Sequence, residues 1–212
     1  MTGQVVTVRP LDRGLRHAAA DLVARGMRDN PLHRAAYGPD PERRVRQQAV
    51  LVGGLLTVSP DLRLLGAFRD GALVAVGGAA PPGTCRLRGA RRARMLPTLA
   101  RLGPAAAARV LAWTGTWAGH DPDEAHVHLG PVAVDAGLRR QGLGGALLRA
   151  HCADLDRAGR AGYLETDTEE NVAFYERFGY RVVGGARVIG VPCWFMRRAP
   201  QGTGSAAPRA TP

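Results

Sequence analysis

The chain has 212 residues, of which 45% are hydrophobic and 22% charged, so it can bury a substantial core and is neither disordered nor fibrous. Its 29 basic and 18 acidic residues give a net charge of +11, and every basic residue is an Arg because the sequence contains no Lys. No apolar run approaches the roughly 18 residues of a membrane span, and the first residues lack the pattern of a signal peptide. We therefore expect a cytoplasmic protein without a membrane partner.

The excess of arginine raises the question of a nucleic-acid partner. The arginines are scattered, with their densest group at 86–94, and they lack the interleaved aromatic residues that stack on bases. A basic surface needs a recognisable motif beside it to indicate such binding. We therefore expect no nucleic-acid partner. The alternative is that the chain is a basic protein that binds nucleic acid.

The three cysteines, Cys85, Cys152 and Cys193, are odd in number, far apart and outside any C-x-x-C spacing. This pattern argues against a disulfide framework and against a zinc site. We expect reduced thiols with mainly structural roles and no bound metal.

The first half of the chain predicts two strands in a hairpin, one earlier strand and several helices. A strand is expected at 5–9, a helix from there to about Met27, a second helix at 42–56, and hairpin strands at 62–68 and 72–76 around the Asp70-Gly71 turn. The arginine- and alanine-rich stretch 88–117 is predicted to be helical, with interruptions near Pro97 and Gly103-Pro104.

The second half alternates strands and helices more clearly. Strands are expected at 127–134, 163–166, 180–188 and 192–197, and helices at 142–158 and from the Thr168 N-cap to about Phe178. The order of elements predicts one mixed α/β domain over residues 1–200. Residues 201–212 are rich in Pro, Ala, Gly, Ser and Thr and are predicted to form a disordered tail.

A glycine-rich turn joins the strand 127–134 to the helix that follows it. Free backbone amides and the positive end of the helix dipole make such a turn a site for phosphate, and glycines let the ligand approach closely. A Walker P-loop is excluded because the chain has no lysine, and the dinucleotide fingerprint is not matched. A tight turn without a ligand stays open as the alternative.

Two motifs in this order resemble the GNAT superfamily of acyl-CoA-dependent N-acetyltransferases. Arg139-Arg-Gln-Gly-Leu-Gly144 matches the family's Q/R-x-x-G-x-G/A turn, and Asn171 to Tyr175 matches its later N-x-x-x-Y. Within the superfamily, the segments 164–179 and 194–198 are most similar to puromycin N-acetyltransferase-like members. The stretch 79–124 shows no convincing match to them, and there the substrate would be chosen.

The resemblance implies a GNAT fold, with a central, mostly antiparallel, splayed β-sheet flanked by helices. It also implies that acetyl-CoA is the co-substrate, and that its pantetheine arm lies along one strand while its pyrophosphate rests on the glycine turn. The residues expected to bind it are Val132, Ala133, Val134, Arg139, Arg140, Gln141, Gly142, Leu143, Gly144 and Asn171. Tyr175 is the expected general acid, because a phenol suits proton donation near neutral pH; a packed tyrosine is the alternative.

The attacking amine must lose a proton, so the reaction needs a base or a water chain to one. Glu165, on the strand next to the one that would hold the pantetheine arm, is our first candidate for this base. The alternative is that Glu165 forms an ordinary ion pair with an arginine. His126 and His128 alternate on one face of the preceding strand and are the runners-up; lacking a third ligand nearby, they do not predict a metal site. Trp113 and Trp117, one helical turn apart, are expected to pack their helix, with an aromatic pocket wall as the alternative.

The resemblance therefore favours acetyl transfer to a primary amine of a small molecule. The similarity to puromycin N-acetyltransferase-like members favours an acceptor that resembles an antibiotic. Acetylation of a protein or peptide amine and a non-catalytic acyl-CoA-binding module are the alternatives. A homodimer is compatible with it, since carboxy-terminal strands of such folds could pair between subunits.

Overall fold

The computed structural model describes residues 6–201, which form seven strands and eight α-helices around one sheet. The strands are β1 (Val6–Pro10), β2 (Arg63–Arg69), β3 (Ala72–Ala80), β4 (His126–Val134), β5 (Ala161–Thr166), β6 (Arg181–Val188) and β7 (Val191–Arg198). The helices are α1 (Arg16–Gly26), α2 (Pro31–Tyr37), α3 (Pro41–Val58), α4 (Gly89–Arg94), α5 (Leu96–Leu102), α6 (Pro104–His120), α7 (Leu143–Arg157) and α8 (Glu169–Glu176). None of these helices is long and apolar enough to cross a membrane.

The strand order is β1-β2-β3-β4-β5-β7-β6, and every neighbouring pair is antiparallel except β4 and β5. The parallel pair requires a crossover, which α7 supplies between β4 and β5. This arrangement confirms the predicted fold class, a mixed α/β fold with a mostly antiparallel sheet.

Helices cover both faces of the sheet, so the core has two main layers. On one face α1 and α3 pack on β2, β3 and β4, through side chains such as Val23, Leu64 and Val76. On the other face α7 packs on β2 and β3, where Leu143 and Leu147 contact the alanines of those strands. The alternation of inward side chains along each strand divides the residues between the two layers.

Most predicted elements are confirmed, with one difference in the helices. The predicted interruptions of the stretch 88–117 are confirmed, since α5 begins beside Pro97 and Gly103 at positive φ ends α5 before Pro104 begins α6. Helix α2 was not predicted. Its Pro31 reads as a break in the sequence, yet proline is favoured in the first turn of a helix, where its missing N–H is not needed. Residue 5 of the predicted first strand and residues 202–212 of the predicted tail lie outside the described residues.

A β-bulge interrupts β4 at Gly130-Pro131. The register pairs Gly77 with Val132 but Ala79 with Leu129, so two residues of β4 lie opposite Gly78. A Cβ at Gly78 would come within 2.6 Å of the Gly130 carbonyl oxygen, so only glycine fits there. Bulges re-aim the strand that carries them, and this one bends β4 where it leaves β5.

Candidate functional site

The parallel strands β4 and β5 separate after the first third of β4. They pair only over His126–His128 and Ala161–Tyr163, although β4 continues to Val134 and β5 to Thr166. The edge of β4 that faces β5 therefore has no strand partner over residues 129–134 within the described chain. Its main-chain groups there can bond to an extended ligand lying in the fork.

The glycine turn lies at the open end of this fork. A 3₁₀ turn at Ala136–Leu138 is held by Asp135, whose side chain accepts a hydrogen bond from the amide of Gly137 (3.0 Å). Arg140 and Gly142 then adopt positive φ angles of 62° and 79°, and α7 begins at Leu143, one residue later than predicted.

The amides of this turn are free to bind an anion. Ala146 is the first residue of α7 whose amide donates along the helix, to the Gly142 carbonyl at 2.9 Å. The amides before it point out of the helix end, where the dipole is positive. The backbone at residues 139–144 thus has the geometry expected for a pyrophosphate site.

The side chains of this turn have mainly positioning roles. The guanidinium of Arg139 donates to the carbonyl of Gly26 at the end of α1, and Gln141 Oε1 accepts from Arg69 Nη1 at 2.7 Å. These contacts tie the turn to α1 and β2. Arg140 is exposed and forms no ion pair with any residue from 6 to 201, so its charge is available to a ligand.

Helix α8 carries Asn171 and Tyr175. Thr168 caps the helix as predicted, its Oγ1 accepting from the amide of Asn171 at 3.3 Å. The two residues differ in exposure, since Asn171 is half-buried. Tyr175 is 8% exposed and packs among apolar side chains, with its ring centroid 5.3 Å from that of Phe174. Burial raises the pKa of Tyr175, so its phenol stays protonated at neutral pH.

Glu165 and His128 form a buried acid–base pair at the fork. His128 Nε2 lies 2.8 Å from Glu165 Oε2, and the two side chains are 20% and 2% exposed. Glu165 is only two residues beyond the last paired residue of β5. Burial opposes charge on His128, but the carboxylates of Glu165 and Asp121 outweigh it and hold the pKa of His128 well above its ordinary value.

A second group of polar side chains adjoins this pair. Cys85, Asp121 and His126 surround the other side of His128, and His126 Nε2 lies 3.0 Å from Asp121 Oδ1. The expectation that the two histidines lack further ligand-type neighbours is wrong. Cys85 and Asp121 come from loops with no sequence motif in common, so no spacing along the chain could have revealed them.

These groups strongly shift one another's pKa values. Burial opposes ionisation of the Cys85 thiol, but the neighbouring imidazoles of His126 and His128 lower its pKa to about 7. The same histidines, with Cys85, overcome burial at Asp121 and hold the pKa of its carboxyl well below the usual range. All three cysteines are free, as predicted, and the other two, Cys152 and Cys193, are buried.

Trp113 and Trp117 pack α6 against its neighbours, as expected. Their rings are in edge contact at 5.1 Å, and Trp113 contacts His33 of α2 at 5.3 Å. Neither indole N–H nor either His33 nitrogen has a hydrogen-bond partner among residues 6–201. Burial lowers the pKa of His33 to about 4, so this histidine is neutral.

Asp167, directly after β5, fixes the start of α2. Its Oδ2 accepts a hydrogen bond from the amide of Leu32 at 2.9 Å, and burial raises its pKa. Sequence reasoning missed this residue, because its partner lies 135 positions away in a helix that was not predicted.

Residues 105–182, which run from α6 into β6 and include the fork, the glycine turn and α8, match the model of the family described as Acetyltransferase (GNAT) domain. Over that stretch the chain is similar to members of the GNAT acetyltransferase superfamily. Members of this superfamily are acetyl-CoA-dependent enzymes, and the match includes Asn171, Tyr175 and Glu165.

Solved structures of several acetyltransferases share the fold. A Corynebacterium glutamicum protein described as histone acetyltransferase HPA2 and related acetyltransferase has a TM-score of 0.67 at 17% identity, covering 97% of this chain and 99% of its own. Drosophila melanogaster polyamine N-acetyltransferase, which forms N-acetylagmatine, has a TM-score of 0.65 at 16% identity, covering 92% and 100%. The Escherichia coli ribosomal-protein-S18-alanine N-acetyltransferase has a TM-score of 0.54 at 16% identity, covering 96% and 99%.

Proposed function

We propose that this GNAT enzyme transfers the acetyl group of acetyl-CoA to a primary amine of a small molecule by direct attack. The observation that carries the proposal is the position of the Glu165–His128 pair, which lies where β4 and β5 part. An acyl donor in the fork would end beside a buried carboxylate able to accept the proton of an attacking amine.

The fork and the turn fit acetyl-CoA. The unpaired edge of β4 offers main-chain groups at Val132, Ala133 and Val134 to the pantetheine arm. The amides of residues 139–144 suit its pyrophosphate, and Arg140 adds positive charge. The Asn171 side chain, which hydrogen-bonds no other residue within 6–201, is available to the same arm. When bound, acetyl-CoA supplies the activated acyl group as a thioester.

Glu165 is the base we assign, with His128 as its positioning partner. An ammonium has no lone pair, so the amine must give up a proton to react. The Glu165 side chain is almost fully buried and lies 2.8 Å from His128 Nε2, so the histidine fixes its position. His126 does not contact Glu165, which makes it the weaker candidate.

Tyr175 is the acid we assign to the leaving thiolate. It belongs to the cluster of buried residues that packs between β4, β5 and α7, together with Leu129 and Leu164 on the two strands of the fork. Its hydroxyl stays protonated at neutral pH because burial raises its pKa. A protonated phenol beside the fork can deliver a proton to a departing thiolate.

Buried carboxylates near the fork favour a cationic acceptor. Glu165 and Asp167 both have little-exposed side chains, while the chain as a whole is strongly basic. Local negative charge attracts an amine substrate in its ammonium form. The Drosophila structure, which has the same fold, belongs to an enzyme of polyamines.

The remaining expectations stay predictions. These are the puromycin-like specificity, an antibiotic-like acceptor, the homodimer, the absence of a nucleic-acid partner and the cytoplasmic location. We infer that residues 1–200 act as one domain, since a single sheet extends from β1 to β7.

A thermal-melt titration with acetyl-CoA tests the donor site, with ADP and a generic polyanion as controls. A ligand at 100 times its Kd adds about 2.7 kcal/mol to the free energy of unfolding, which for a chain of this size raises Tm by roughly 5 to 10 °C. A saturable shift specific to acetyl-CoA is expected. An equal shift with any polyanion would reject the donor site.

Thiol release from acetyl-CoA then tests the acceptor. Agmatine, spermidine, puromycin and a peptide with a free amino-terminal alanine form the panel. We expect a small amine to give the highest kcat/KM. A peptide that outcompetes every small amine would replace the proposal with protein acetylation, and donor binding without turnover of any amine would favour the non-catalytic module.

A further inference from the structure

Four side chains with metal-binding atoms meet at the start of β4. They are Cys85 in the loop after β3, Asp121 after α6, and His126 and His128 in β4. One ligand atom from each lies within 4.8 Å of all the others. Three separate segments of the chain therefore deliver a thiol, a carboxylate and two imidazoles to one point.

The spacing of these atoms matches tetrahedral coordination. Bond lengths of about 2.0 to 2.3 Å at tetrahedral angles place neighbouring zinc ligands roughly 3.3 to 3.6 Å apart. Asp121 Oδ1 lies 3.0 Å from His126 Nε2 and 3.8 Å from His128 Nδ1. Cys85 Sγ lies 3.7 Å from Asp121 Oδ1 and 4.0 Å from His126 Nε2. The observed distances lie on both sides of the ideal values.

The outer nitrogen of each histidine is already engaged. His126 Nδ1 donates to the carbonyl of Glu124 at 2.8 Å, and His128 Nε2 donates to Glu165 at 2.8 Å. Acceptors of this kind are the usual outer partners of metal-binding histidines, because they fix the ring and leave the inner nitrogen with its lone pair. The inner nitrogen of His128 is buried and has no hydrogen-bond partner among the described residues.

Lone pairs facing one another need a cation between them. With its outer nitrogen donating, neutral His126 directs a lone pair at a carboxylate oxygen only 3.0 Å away. A proton could satisfy one such contact, whereas a divalent cation satisfies all four ligands. A thiolate and a carboxylate would also neutralise its charge. Arg86 Nε donates to the other oxygen of Asp121 at 2.6 Å and orients that carboxylate from outside.

We propose that Cys85, Asp121, His126 and His128 form a tetrahedral site for a divalent cation of the zinc class. The site joins the loop after β3 and the end of α6 to β4. It also holds His128 with its N–H directed at Glu165, which links the cation to the geometry of the fork. The inference does not depend on which amine is acetylated.

Cobalt(II) binding to the full-length protein tests the site directly, because a cobalt–thiolate bond gives a charge-transfer band in the near ultraviolet. The protein is stripped with a chelator and titrated with Co²⁺ and then with Zn²⁺. We expect one equivalent to bind with tetrahedral d–d bands and a thiolate band, and Zn²⁺ to displace it. Metal should also raise Tm, since it binds only the folded site.

Cys85→Ser should abolish the thiolate band and lower Zn²⁺ affinity at least 100-fold, beyond the 10- to 100-fold loss typical of an outer-shell change. Cys152→Ser, which changes a cysteine of α7 outside the cluster, is the matched control and should bind like the wild type. If Cys85→Ser does not fold, His126→Asn removes a different ligand and should lower the affinity similarly.

A stripped, folded protein that gives no thiolate band with Co²⁺ would overturn the proposal, as would a band that survives Cys85→Ser or disappears in Cys152→Ser. The acetyl-CoA melt shift, measured on the same samples, reports the donor site separately. A protein that binds zinc without responding to acetyl-CoA would reject the proposed function and keep the metal site.

Discussion

Tyr175 is buried, which keeps its phenol protonated, and it lies in the apolar cluster beside the fork. The change Tyr175→Phe removes only the hydroxyl and keeps the ring that fills the cluster. We expect turnover to fall roughly 100- to 10,000-fold, the usual range for loss of a general acid, with the acetyl-CoA melt shift nearly unchanged.

The matched control for this variant is Tyr180→Phe. Tyr180 lies in the same cluster, and its hydroxyl is engaged by His151 Nε2 at 3.1 Å. This control should lose on the order of 1 kcal/mol of stability and keep its turnover. Equal turnover in the wild type and Tyr175→Phe would remove Tyr175 from the mechanism.

Glu165 is the second residue whose role can be isolated. Glu165→Gln keeps the size of the side chain and a hydrogen-bonding group for His128, but it removes the carboxylate that accepts the proton. We expect kcat/KM for the amine to fall by roughly 100-fold or more, while acetyl-CoA still raises Tm as in the wild type.

The control for this variant is Glu124→Gln, which removes a carboxylate from an exposed ion pair with Arg197. Steady-state kinetics should separate the two variants. If they have the same kcat/KM, the base lies elsewhere, and His126 becomes the candidate to test.

At the scale of elements, the bulge in β4 leaves less space for a side chain at one of two adjacent glycines of β3 than at the other. A Cβ at Gly78 would meet the Gly130 carbonyl oxygen at 2.6 Å, whereas at Gly77 the nearest atom outside its chain neighbours is 4.0 Å away. We expect Gly78→Ala to lower the free energy of unfolding by about 1 to 3 kcal/mol and to weaken acetyl-CoA binding, because the bulge must move.

Gly77→Ala lies one residue away on the same strand and should stay close to the wild type in both measurements. Urea denaturation and the acetyl-CoA melt provide the comparison. If the two alanine variants behave alike, the close approach of β3 to the bulge does not determine the shape of the fork.

Elements with a strong local signal were predicted, and those that depend on distant partners were not. The Asp70-Gly71 hairpin, the Thr168 cap and the helix after the glycine turn follow from local backbone preferences. Helix α2 was missed because its seven residues are held by tertiary contacts, such as the bond from Leu32 to Asp167. A short helix has little stability of its own, so its sequence carries little signal.

At the scale of the whole molecule, two buried neutral histidines predict acid sensitivity. Burial lowers the pKa of both His33 and His151 from 6.5 to about 4. Between these pH values the unfolded chain binds more protons, so their contribution to stability is present above pH 6.5 and is lost as the pH falls towards 4. We expect each to cost on the order of 2 kcal/mol at pH 4.5 relative to pH 7.5.

Denaturant unfolding at the two pH values measures this loss, and His33→Leu should reduce it by about half. The His33 nitrogens have no partner within 6–201, so an apolar residue breaks no hydrogen bond there. His17→Gln, at a highly exposed side chain, should keep the wild-type dependence. A His33→Leu protein as sensitive to acid as the wild type would contradict the assignment.

Several arginines have structural roles, so the net charge of +11 does not all contribute to a basic surface. Arg44 is buried and donates to the carbonyls of Arg28, Gly38 and Pro39 as well as to Asp29. Arg16 similarly donates to the carbonyls of Leu56 in the last turn of α3 and of Leu62 after it. Part of the basic excess thus satisfies the backbone of loops instead of forming a surface for nucleic acid.

The sequence by itself determined the mixed α/β class, the glycine turn and the motif Asn171 to Tyr175, because each depends on residues within one or two turns of the chain. The tertiary structure decided the fork between β4 and β5, the pairing of Glu165 with His128, and the meeting of Cys85 and Asp121 with two histidines of β4. These features join residues tens of positions apart, and side-chain contacts at that separation are set by packing and strand register, which periodicity along the chain does not encode.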